Sequence, residues 1–132
     1  MVNGQLSIVN RKYMSLNKAL LIGNVGRDPD VRYVDADRPV ATFSLATHEP
    51  AYTLPNGTQV AERTEWHNII TWGKLAKQVE QYVRKGNKLF VEGSIHTRSY
   101  EDKASIRRTV TEIWAEKIDF LNSPTKEAGG GV

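Results

Sequence analysis

Trp66 and Trp72 are the residues whose type and spacing bear most directly on chemistry in this chain. In an extended segment they point to the same face, about 20 Å apart at ~3.3 Å per residue, too far to stack on one another. Two readings stand: one or both fill a core, or each offers a flat ring to a separate planar group such as a nucleobase, a stacking contact contributing about 1–3 kcal/mol. Tyr52 and Tyr100 add two rings in polar surroundings. Basic residues are interleaved with these rings: Lys74 follows Trp72, Arg98 precedes Tyr100, Lys103, Arg107 and Arg108 come after it, and Arg63 lies just ahead of Trp66. Such alternation offers cations to phosphates and rings to bases, while each cation taken singly also fits an ordinary solvated surface.

Other chemistries find less support. His67 beside Glu65 has the makings of a general base, but alternation puts both on the face opposite Trp66, and no serine or paired carboxylate completes a triad; a structural or interface histidine is the competing reading. There is no cysteine, and His48, His67 and His96 lack metal-ligand spacing, so no metal or cofactor is expected. No apolar run approaches the roughly 20 residues that cross a bilayer, and the expectation is a cytoplasmic protein with no membrane partner. The 132 residues carry a formal charge of +3, with a local excess. Residues 1–73 hold 7 Lys+Arg and 7 Asp+Glu, residues 74–108 hold 9 and 4, and residues 109–132 hold 2 and 4. The basic stretch begins beside Trp72, the electrostatic footprint expected of a polyanion binder.

The elements that must position these residues follow from periodicity. Leu16 to Gly23 reads as a buried strand, Asn24 to Pro29 as a turn, and Val31 to Tyr33 as a short extended piece. Val40 to Thr47 alternates, with Ala41, Phe43, Leu45 and Thr47 on one side. Residues 48–64 read as a long β-hairpin arm, turning at Asn56-Gly57, and Glu65 to Trp72 is a third strand. The period then becomes helical from Gly73 to Arg84, through Leu75, Ala76, Val79, Tyr82 and Val83, with Gly86 as the capping glycine. Lys88 to Thr97 is a fourth strand with a bulge or bend at Gly93, Ser99 to Ser105 a polar loop carrying Tyr100, and Arg107 to Leu121 a fifth strand. A helix competes for the last segment, but Thr109, Val110, Thr111, Ile113 and Trp114 favour a strand. The whole is all-β: a five-stranded Greek-key barrel of OB-fold type, with one helix between strands 3 and 4. Residues 14–122 form the domain, residues 1–13 an N-terminal extension, and residues 123–132 a flexible tail or the start of a linker.

Taken together, LNKALLIGNVGRDPDVRY, VATFSLAT, TEWHNIITWGKLA, YVRKGNKLFVEGSIHTRSY and TEIWAEKIDFL resemble, in order and spacing, the bacterial single-stranded DNA-binding protein family over about residues 15–122. The resemblance implies a homotetrameric OB-fold that binds single-stranded DNA without sequence preference in replication, recombination and repair, at the bacterial nucleoid and without catalytic activity. Trp66, Trp72 and Tyr100 fall on the family's stacking positions. The arm aromatic falls on Ala51 by strict count, with Tyr52 adjacent. His67 matches an interface histidine, and Lys88, Phe90 and Glu92 match contacts between dimers. His96 stands where the family commonly has arginine. The acidic C-terminal tip through which the family recruits replication and repair proteins does not occur in these 132 residues, so such partners are expected only if the natural chain carries one. The alternatives are an OB protein directed to RNA or the primosome, a structural OB domain with protein partners, and a small hydrolase using His67.

Overall fold

A computed structural model describes residues 15–121. The extension expected at residues 1–13 and the tail expected at 123–132 lie outside the described residues. The elements run β1 (Ala19–Val25), β2 (Asp30–Tyr33), β3 (Pro39–Glu49), β4 (Tyr52–Thr53), β5 (Gln59–Val60), β6 (Arg63–Trp72), α1 (Gly73–Tyr82), β7 (Lys88–Glu101) and β8 (Arg107–Phe120). The main sheet has the order β1-β7-β8-β6-β3-β2, and a further pairing of β1 with β3 closes five of its strands into a ring. This is the expected five-stranded barrel, with the helix between its third and fourth principal strands. Among the described residues no helix is long and apolar enough to cross a membrane.

Alternation decides what fills the ring. On β3, Ala41, Phe43 and Leu45 point inward and are buried, while Thr42, Ser44 and Ala46 lie on the other face. On β6, Ile69 and Thr71 point inward, and the Thr71 hydroxyl donates to the Ala41 carbonyl at 2.9 Å, which satisfies a buried polar atom. Leu89 and Val91 of β7 and Ile113 of β8 complete the barrel core, and Ala76, Val79 and Val83 pack against it from the helical segment. Tyr82, expected on that helical stripe, is 61% exposed; the buried positions recur at 76, 79 and 83, and it falls beside the line they define.

Ring closure requires close approaches. A side chain at Gly23 would meet the Ala46 carbonyl, and one at Gly93 the Trp114 carbonyl. The irregularity expected at Gly93 is present: Glu92 faces Lys117 and Gly93 faces Ala115, so Glu116 of β8 is left over.

Other expectations shift. The first strand starts at Ala19 and runs through Asn24 and Val25, because β7 and β3 pair with those residues; Asn17 instead bonds the Ile95 backbone through both ends of its amide. The loop expected at Ser99 to Ser105 is a tighter turn, because Ser99, Tyr100 and Glu101 pair with Thr109, Arg108 and Arg107. The Asp102 carboxylate accepts the Ala104 and Ile106 amides, each at 2.9 Å, which closes that turn locally. The helix ends at Tyr82 with Val83 as its cap. Gly86, at φ 90°, serves a separate turn whose amide donates to Val25. The arm turns at Gly57, also at φ 90°, as its Asn-Gly pair predicts.

Because the Trp114 backbone blocks a Cβ at position 93, Gly93→Ala is expected to destabilise the fold by about 1–3 kcal/mol. Urea unfolding would show this as a lower midpoint at unchanged slope; an unaltered midpoint would contradict the tight crossing.

Candidate nucleic-acid interface

The outward residues of β6 are Trp66, Asn68, Ile70 and Trp72. Residues directly opposite one another in a ladder share a face, so the pairings extend this surface across the sheet. Ala46, Ser44, Thr42 and Val40 of β3 lie beside the four in turn. Glu112 of β8 lies beside Asn68 and Trp114 beside Ile70. Ser94, His96, Arg98 and Tyr100 of β7 follow, opposite Trp114, Glu112, Val110 and Arg108. A groove of about 530 Å³ is floored by Thr42, Ser44, Asn68 and Ile70, the β3 and β6 positions that lie between the rungs of Trp66 and Trp72.

The rings on this face are not core residues. Trp66 is 56% exposed, Trp72 44%, Trp114 37% and Tyr100 45%, which excludes the reading of Trp66 or Trp72 as a barrel-filling residue. Trp66 leans on Gly26 in the turn after β1, where any Cβ would meet its ring. Trp72 meets Trp114 edge-to-face, centroids 4.9 Å apart at 73°. Tyr100 lies on β7 rather than in a loop. Tyr52 stands on the separate β4–β5 arm sheet and is exposed.

The cations fall into groups. Arg98 donates from Nε to Glu112 Oε2 at 3.0 Å and lies 2.9 Å from it through a second nitrogen. It also sits 5.8 Å over the Tyr100 ring. Glu112 is a buried carboxylate at the centre of the face, and its other oxygen accepts the Trp114 indole N–H at 3.4 Å. The carboxylate hydrogen bond and charge push the Arg98 guanidinium further above its already high pKa. Arg108 pairs with Asp102 at 2.8 Å; that contact, with the Ile106 amide, holds the Asp102 carboxyl below the usual range. Arg63 lies at the base of the arm between Glu49 and Glu65, at 3.8 and 3.4 Å. Lys74, Lys103 and Arg107 make no ion pair among the described residues.

Three features of this face carry no local signal in the sequence. Trp114 was legible only as a strand former, though its place next to the inward Ile113 makes it outward. Arg27 and Arg32, from the charge-balanced first half, line the groove with Asp28 and Asp30. Conversely, part of the basic stretch lies elsewhere: Lys77 is on the helix, and Arg84 and Lys85 are in the turn that follows it.

The remaining predicted residues lie apart from this groove. Lys88, Phe90 and Glu92 are opposite Asn24, Ile22 and Leu20 of β1, and Lys18 pairs with Glu92 at 2.7 Å. This hydrogen bond and its charge raise the Lys18 pKa and lower that of Glu92. Leu20 and Ile22 are 62% and 55% exposed there. His67 turns inward, half-buried, with Nε2 2.8 Å from the Thr47 hydroxyl, and Glu65 is engaged with Arg63 instead of with the imidazole. The pair does not form the general-base arrangement.

Removing one partner of the Arg98–Glu112 pair strands a buried carboxylate. Arg98→Ala is therefore expected to lower the thermal unfolding midpoint, and adding Glu112→Gln is expected to recover part of the loss. A double variant no more stable than Arg98→Ala would show that the pair is not what holds Glu112 in place.

Comparison with known proteins sets this geometry in context. The model of the single-strand binding protein family matches residues 16–121. A single-stranded DNA-binding protein of Bacteroides thetaiotaomicron is 52% identical over 119 residues, covering 90% of this chain and 74% of the relative. One from Neisseria meningitidis serogroup B is 45% identical over 117 residues, covering 89% of this chain and 66% of the relative. The chain thus spans about two thirds to three quarters of the length of these relatives. A solved structure described as the Plasmodium falciparum SSB complex with ssDNA superposes with a TM-score of 0.74 at 37% identity, covering 82% of this chain and 97% of that one.

Proposed function

The chain belongs to the single-strand binding protein family, and from that premise we propose that it binds single-stranded DNA without sequence preference, by stacking bases on outward rings and meeting phosphates with lysine and arginine. The observation that carries this reading is the placement of Trp66 and Trp72 on one exposed face, with the β6 positions between them, Asn68 and Ile70, flooring a polar groove. A soluble domain that leaves two large rings in water gives up the burial free energy each would contribute to a core, and a planar ligand restores it on binding. Bases offer such a plane whatever their identity, which accounts for sequence tolerance.

In this reading Trp66, Trp72 and Tyr100 are stacking residues and Tyr52 extends the path along the arm. Lys74, Arg98, Arg63, Lys103, Arg107 and Arg108 meet the backbone, and residues 14–122 are the binding unit. Its setting is DNA replication, recombination and repair in the bacterial cytoplasm, at the nucleoid, with replication and repair proteins as partners wherever an acidic tip is present.

The same reading makes the protein a homotetramer. The strip formed by Leu20 and Ile22 with Phe90 beside them is apolar and solvent-facing in the single chain, and a strip of this kind is covered in an assembly of copies. Lys88, Glu92 and His67 are assigned to contacts between subunits.

Titration with oligo-dT at low salt is expected to quench tryptophan emission, and absence of quenching would refute the reading. Trp66→Ala and Trp72→Ala should each weaken binding by about fivefold to a hundredfold with the far-UV circular dichroism unchanged. The logarithm of the binding constant should fall with the logarithm of salt concentration, by about 0.7 per phosphate contact. Light scattering is expected to give four times the chain mass, and Ile22→Glu to reduce it; a monomeric parent would refute the assembly alone.

A further inference from the structure

The protein has three tryptophans, and Trp114 is outward on the same sheet as the other two. The His96 ring lies flat on its indole, with centroids 3.5 Å apart and planes 11° from parallel. Both rings are held in place. The indole N–H donates to Glu112 and its ring meets Trp72, while His96 Nε2 is 2.9 Å from the Ser94 hydroxyl. Along β7 this produces a row on one face, His96, Arg98 and Tyr100, in which a ring, a cation and a ring succeed one another at every second residue. His96 and Tyr100 are about 13 Å apart along the strand at ~3.3 Å per residue, and His96 reaches the Trp72 end through Trp114.

We propose that His96 and Trp114 act together as a further base-stacking plate, which takes an unpaired nucleobase of the bound strand between the Trp72 and Tyr100 positions. This rests on the reading of the face as a path for single-stranded DNA. Three observations support it. First, the pair is continuous with that face and lies in contact with Trp72. Second, the indole is 37% exposed although its strand neighbour Ile113 is buried, so the ring is kept at the surface. Third, hydrogen bonds on both rings fix their planes before a ligand arrives, which removes part of the ordering cost of binding. Arg98, two residues along β7, supplies the adjacent cation.

The test uses the protein in which Trp66→Phe and Trp72→Phe leave Trp114 as the single tryptophan. Binding of labelled oligo-dT is followed by anisotropy, and Trp114 emission is followed in a parallel titration with unlabelled oligo-dT. The expected result is that the emission is quenched in step with saturation. Saturated anisotropy with unchanged emission would overturn the proposal. In the otherwise unaltered protein, His96→Ala is expected to weaken oligo-dT binding by about fivefold or more at an unchanged thermal midpoint; unweakened binding at that midpoint would also overturn it. If the unaltered protein gives no anisotropy change at low salt, the DNA-binding reading itself fails, which separates that outcome from failure of the plate alone.

Discussion

Strand alternation around a closed ring is the constraint from which the rest of this structure follows. Because β1 pairs with both β7 and β3, every principal strand has one face toward a small enclosed interior. That interior is filled by Leu45, Ile69, Leu89, Val91 and their neighbours. Where strands cross most closely, at Gly23 and Gly93, there is no room even for a methyl group. The tryptophans of β6 and β8 stand on the outer face, and part of their apolar surface stays exposed. Packing the core and setting the two indoles outward are two outcomes of one pattern, since shifting β6 by one residue would send Trp66 and Trp72 inward and His67, Ile69 and Thr71 outward.

The outer face is ordered without being buried. Trp66 is braced by the missing side chain at Gly26, Trp72 by the edge of Trp114, and Trp114 by His96 and Glu112. Glu112 links this aromatic group to Arg98, which lies over Tyr100. One buried carboxylate therefore orients an indole and a guanidinium at once. The charge of this carboxylate is matched by Arg98, and the gain is direction. Lys74, Lys103 and Arg107 make no ion pair among the described residues, so their charges are not committed to a carboxylate there.

The legible parts of the fold are those whose signal is local. The two-residue period of Val40 to Thr47 and Glu65 to Trp72 and the Asn-Gly turn of the arm each lie within one segment and take the expected form, and the helical period from Gly73 buries Ala76 and Val79 as expected although the helix stops at Tyr82. The β-branched and aromatic residues of Arg107 to Leu121 favour a strand over a helix, and the ladder with β7 bears the strand out. Ser99 to Glu101 looked like a loop because its residues are polar. They extend β7 only because Arg107 to Thr109 are there to pair with them. The count of charge along the chain pointed to residues 74–108, but charge acts by face: Lys77, Arg84 and Lys85 lie elsewhere, while Arg27 and Arg32 join the groove.

The sequence by itself determined the family resemblance, the barrel class and that Trp66 and Trp72 share one face of their strand, because each depends on residue type and on a repeat within a few positions; that this face is the outer one came from the structure. Only the tertiary structure decided which strands became neighbours. Pairing of β6 with β8, and of β8 with β7, brought Trp72, Trp114 and His96 into contact and set Glu112 under Arg98. Those contacts join residues on different strands through sheet hydrogen bonds and ring closure, and no periodicity within a single segment encodes them.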